Sequence, residues 1–184
     1  MTMNSEFHVG DPGALIAALP AVLGFVPEKS LVLVFLETSD RMGAVMRADL
    51  SDDLTANLDH LAQLAETSGA ERVVCVVVDA DGALCPMCND DHRRLCEALA
   101  DALRARGLGL HAAHVGDRVA AGGRWHCIDG CGRGGEVPDP YASPLAAAAV
   151  LDGRRLYGRR EDLAAVVASA DPARAAALQS RIED

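Results

Sequence analysis

Two short, unbroken apolar runs constrain this chain more than anything else in it: "SLVLVFLE" (Ser30–Glu37) and "RVVCVVVDA" (Arg72–Ala80). Each is short for a helix and rich in branched aliphatic residues, which suit a pleated strand. Neither alternates with polar residues, so each strand needs apolar cover on both faces. A sheet with helices on both sides meets that need.

The segments between the runs read as those helices. In "DPGALIAALPAVLGF", Asp11 is a cap, Pro12 suits the first helical position, and Leu15, Ile16 and Leu19 form an apolar face. Pro20 is expected to break or restart this helix and Gly24 to end it. "SDDLTANLDHLAQLAETSG" predicts a second helix, capped by Ser51, with Leu54, Leu58, Leu61 and Leu64 on one face and Gly69 as terminator. A third, capped by Asn89 or Asp90, carries the stripe Leu95, Leu99, Ala102 and Leu103 and stops at Gly107. "GAVMRADL" is a half-polar strand suited to a sheet edge. "LGLHAAHVGDRVAAGGRWHC" alternates as a hairpin turning at Gly116-Asp117 or Gly122-Gly123. "IDGCGRGGEVPDPYASP" is expected to be loop, followed by helices from Ser143, over "REDLAAVVASA", and from Asp171-Pro172.

Handedness of the crossovers then makes strand three parallel to strand two, and strand four parallel to strand three. The expectation is an α/β fold: a mixed, roughly five-stranded sheet in the order 2-1-3-4-5 with helices on its faces. Residues 1–184 form one domain in this reading, and 141–184 are a helical C-terminal segment packed on it.

The net charge of −10 opposes binding to phosphate backbones and to anionic membranes, so neither nucleic acid nor membrane is an expected partner. Arg154, Arg155, Arg159 and Arg160 cluster in "GRRLYGRRED" and read as solvated helix ends. No apolar run is long enough to span a bilayer, and "MTMNSEFHVGDPG" lacks the basic and apolar regions of a secretion signal. A cytoplasmic protein is expected. In a reducing compartment, six cysteines point to metal or redox chemistry before disulfides.

Four of the six fall into close pairs: Cys85 and Cys88 in "CPMC", and Cys127 and Cys131 in "WHCIDGCG". Two short-spaced pairs suit a tetrahedral zinc site, and the glycines beside Cys131 allow tight folding around an ion. Cys85 and Cys88 leave the top of strand three. A turn at Gly122-Gly123 keeps Cys127 near that same end, so the four-thiolate set Cys85, Cys88, Cys127 and Cys131 and that register go together. His92, Cys96 and His126 stand close enough in sequence to replace a thiolate or to support one. Cys75 reads as a buried hydrophobe, and Asp79 and Asp81 as loop solvation. No Walker loop, nucleophile elbow or zinc-protease motif is present.

"LPAVLGFVPEKSLVLVFL", the following "RADL", the "GGRWHC" hairpin and "SPLAAAAVLDGRRLYGRREDLAA" together resemble an actinobacterial family known as domain of unknown function 4192. The resemblance implies a single cytosolic α/β domain and brings no activity. The functional expectation is a zinc-stabilised, non-catalytic module that binds another protein. Two alternatives stand beside it. "VVVDADGALCPMCNDDHRRLCEALADAL" is similar to the start of a glutaredoxin, which would make the chain a thiol oxidoreductase using Cys85 and Cys88. A small-molecule sensor with a pocket at the strand tops is the other.

Overall fold

The computed structural model describes residues 10–37, 42–83 and 85–168. Asp11 opens helix α1 (Pro12–Leu23): its carboxylate accepts the Gly13 N–H at 3.0 Å, and Pro12 takes the first position, where an N–H would have no helical partner. The helix runs through Pro20 instead of breaking there. An interior proline costs about 3 kcal/mol. Here Leu15 through Ala21 are all buried, so packing on every side offsets that loss.

Six strands form one sheet in the order 2-1-3-4-5-6: β1 (Ser30–Leu36), β2 (Met42–Asp49), β3 (Arg72–Val78), β4 (Gly109–Gly116), β5 (Gly123–Cys127) and β6 (Gly134–Val137). The expected order holds, with a sixth strand added. β3 and β4 pair in parallel, and the other neighbouring pairs are antiparallel. β1 is buried throughout, and β3 throughout except for Arg72, as their unbroken apolar sequences require. Leu31, Leu33, Phe35, Val73, Cys75 and Val77 face helices α2 (Leu58–Thr67) and α3 (Pro86–Arg104). The alternate residues Val32, Val34, Leu36, Val74, Val76 and Val78 face α1. Helix α4 (Pro144–Leu151) lies behind α1, joined through Ala21, Ala146 and Ala149. Before helix α5 (Arg160–Val167), Tyr157 exchanges backbone hydrogen bonds with Gly24 and Val26 and ties the C-terminal segment back to the end of α1.

Several local expectations are corrected. The stretch read as loop contains β6. Glycines are poor strand formers in isolation, but Gly134 and Gly135 sit against Trp125, and a Cβ on Gly134 would lie 2.8 Å from the Trp125 carbonyl. The missing side chains are what let β6 approach. Helix α2 begins at Leu58, after turns and a short 3-10 segment (Thr55–Asn57), and Ser51 does not cap it. Its buried face is Leu58, Leu61, Ala62 and Ala65; Leu64, three residues past Leu61, swings off that face and is 39% exposed. Helix α3 starts at Pro86, ahead of Asn89 and Asp90, because the proline fixes helical φ and Cys85 takes the cap position. The β4–β5 connection spans Asp117 to Gly122, and β5 starts at Gly123. This register sets Cys127 opposite His114. The helix expected from Asp171-Pro172 lies outside the described residues.

Candidate metal centre

Strand β5 ends at Cys127, and the hairpin into β6 folds back at once: the Cys127 N–H donates to the Arg133 carbonyl at 2.8 Å. Inside this loop Asp129 accepts the Cys131 N–H at 3.0 Å. Gly130 and Gly132 take φ of +77° and +75°, a left-handed backbone that side-chain-bearing residues adopt at a cost. The result brings the thiols of Cys127 and Cys131 and the carboxylate of Asp129 within 4.8 Å of one another, a group that could hold a metal ion. Two thiolates on one tetrahedral zinc lie about 3.8 Å apart, from a zinc–sulfur bond of about 2.3 Å, so little contraction is needed.

The surroundings suit such a role. Cys127 is half-buried, and burial together with the Cys131 thiol and the Asp129 charge pushes its thiol up to about 11. Without a cation it stays protonated at neutral pH; a divalent ion would displace that proton. Asp129 is held below the usual carboxylate range, first by the Cys131 N–H and then by the Cys131 thiol. Behind Cys127 stands His114, its Nδ1 3.5 Å from the sulfur. Burial pushes this imidazole down to about 4, so it is neutral at physiological pH. Trp125 holds it edge-to-face at 5.4 Å.

Cys85 and Cys88 occupy a different place. They sit at the start of α3, hydrogen-bonded to each other through their thiols. Side chains alternate along β5: Cys127 packs on the α1 side of the sheet, while His126 reaches toward α3 and meets Asn89 Oδ1 at 3.0 Å. The structure thus brings Cys127 and Cys131 together with Asp129, and places Cys85 and Cys88 together at the start of α3. His126 stands beside the second pair's helix. Cys96 faces the core, where its sulfur lies 3.8 Å from that of Cys75. His92 is also buried, and its Nε2 lies 3.2 Å from Asp79 Oδ2. Asp79 is no solvated loop residue: it is buried, and Lys29 Nζ reaches its Oδ1 at 2.6 Å and Asp81 Oδ2 at 2.9 Å. Burial pushes the Asp79 carboxyl up, but Lys29 and the Gly82 N–H outweigh it and hold the group ionised.

Sequence reasoning missed Asp129 and His114. Asp129 carried a signal, since Asp-Gly inside a Cys-x3-Cys segment marks a tight turn whose carboxylate points inward. His114 carried none, because its position beside Cys127 depends on the β4–β5 register.

Among the described residues, no helix is long and apolar enough to cross a membrane. Neither the curated proteins nor the solved structures hold a match to this chain. A family model for a domain of unknown function, DUF4192, matches residues 12–184, nearly the whole chain, and the protein belongs to that family.

Proposed function

We propose that this protein is a zinc-stapled, non-catalytic α/β module of the cytoplasm that binds another protein. The observation that supports it is the hairpin group of Cys127, Asp129 and Cys131. Thiolates with one carboxylate select zinc over magnesium or calcium, which prefer all-oxygen shells. The ion would join the end of β5 to the loop that leads into β6, and so fix the sheet's last hairpin. His114, hydrogen-bonded to Cys127, orients that sulfur. Docking of a protein is favoured by the exposed apolar side chains of Val150, Leu151 and Tyr141 around α4.

Elemental analysis of protein purified without chelator tests the metal. Bound zinc is expected, with loss from the hairpin when Cys127 and Cys131 are both replaced by serine and a lower melting temperature in that variant. Cys127 and Cys131 thiols that alkylate at the same rate with and without zinc would refute it. A photo-crosslinker at position 151 tests the partner: discrete protein adducts in the native cell are expected, and their absence at both 150 and 151 counts against that surface.

A further inference from the structure

Helix α3, strand β4 and the segment that follows β5 frame a cleft of about 320 Å³. Its floor is apolar: Cys96 and Ala100 come from α3, Leu110 and Ala113 from β4, and Ile128 from the hairpin. Cys96, Ala113 and Ile128 are buried, and Ala100 and Leu110 are half-buried. The space exists because Ala100 and Ala113 end at Cβ, whereas Leu99 and Leu103 of the same helix fill the core. The frame is tied at two points. The Ile128 N–H donates to the Ala113 carbonyl at 3.0 Å, and Arg93 Nε donates to the Ile128 carbonyl at 3.4 Å.

The mouth of the cleft is polar, and the fold places its groups. β4 carries one extra residue against β3: Val73 pairs with Leu110 and Val74 with Ala112, which leaves His111 out of the ladder. Such a bulge re-aims a side chain, and bulges are over-represented beside functional sites. His111 is exposed and lines the cleft. Arg93 lines it as well. Its Nη1 is held by Asp90 at 2.9 Å and its Nε by the Ile128 carbonyl, while Nη2 has no partner among the described residues. A guanidinium pinned through two nitrogens with the third free is a preset donor for a carboxylate oxygen. Glu97, one turn further along α3, also lines the cleft and keeps an anion to the Arg93 side.

We infer that this cleft binds a small molecule with an apolar body and a single carboxylate. The volume sets the size: it lies at the lower end of the roughly 300–1,000 Å³ of small-molecule sites and is too small for a helix of a partner. The alanine floor takes the body, and Arg93 Nη2 and His111 take the carboxylate. Asp129 lines the cleft too, and it belongs to the hairpin group with Cys127 and Cys131. A divalent ion held by that group neutralises Asp129 and adds positive charge beside the cleft. Zinc and the carboxylate therefore each tighten the binding of the other, because such coupling is reciprocal. The coupling rests on the metal reading of the hairpin; the cleft itself does not.

The test uses the full chain with chelator present and benzoate, phenylacetate and isovalerate as probes. Saturable shifts of the Ala100, Ala113 and Ile128 backbone amides in NMR spectra are expected at millimolar concentration. Acetate, which lacks the body, is expected to give none, and benzamide, which lacks the charge, to bind more weakly. Ala100→Leu fills the cleft with a residue that suits a helix as well as alanine does, and is expected to weaken the probes at least about 10-fold. Arg93→Gln is expected to weaken benzoate about 10-fold and to leave benzamide unchanged, a split that a general loss of packing would not produce. No saturable shift with any of the three carboxylates, or equal affinity in both variants, overturns the cleft as a site. With zinc in place of chelator, benzoate is expected to bind about 5-fold more tightly to the unmodified protein and no more tightly to the Cys127→Ser, Cys131→Ser variant. Zinc bound with the benzoate Kd unchanged overturns the coupling alone. A protein that binds no zinc fails the hairpin reading, and the titration under chelator still decides the cleft.

Discussion

His114 shows how one side chain ties the sheet's interior to solution pH. Its folded imidazole titrates near 4 and an unfolded one near 6.5, so between these values the unfolded chain binds more protons. Stability is therefore full above about pH 6.5, falls as the pH drops toward 4, and levels off below. The shift corresponds to about 3 kcal/mol across that window. Urea midpoints measured with chelator present are expected to show this decline, and His114→Gln is expected to flatten it. An equal slope in both proteins would remove His114 as the cause. Residue-scale legibility was uneven for a physical reason. Cys127 and Cys131 could be picked out because they are close in sequence. The contacts of His114 and Asp79 depend on which strands lie side by side, and no local pattern carries that information.

The elements follow their sequences closely wherever burial or a cap decides the outcome. Asp11 and Pro12 start α1 as read, and Asp11→Ala is expected to cost about 1 kcal/mol through the lost Gly13 hydrogen bond, measurable by chemical denaturation. A change well under that would mean the cap contributes little beside packing. Where propensity competed with packing, packing won: Pro20 sits inside a helix enclosed on all sides, and Gly134 and Gly135 form a strand because Trp125 leaves space for nothing larger. Pro86 was the missed signal at α3, since a proline suits the first turn and the acidic residues after it are equally at home there. That shift of the cap from Asn89 or Asp90 back to Cys85 matters, because it places Cys88 and His92 on one helical face.

Across the whole molecule, the sheet order was readable because unbroken apolar strands must be central and a half-polar strand must lie at an edge; β2 is indeed half-buried and terminal. Which face of the sheet Cys127 takes depends on the register of β5, which no local sequence pattern carries. The excess of acidic residues carries its own expectation: with a net charge of −10, the protein shows no salt-sensitive binding to random DNA or RNA, and a tight, salt-dependent shift in an electrophoretic assay at physiological salt would contradict this. The arrangement of α1 has a further consequence for the order in which the chain is made. Helix α1 comes near the start of the sequence, yet part of its cover comes from β6 and α4, more than a hundred residues later. Synthesis at about 5–20 residues per second separates the two by on the order of ten seconds. During that interval the apolar stretch Leu15–Ala21 has left the ribosome without its final neighbours, so the finished domain can close only after the hairpin that carries Cys127 and Cys131 has been delivered.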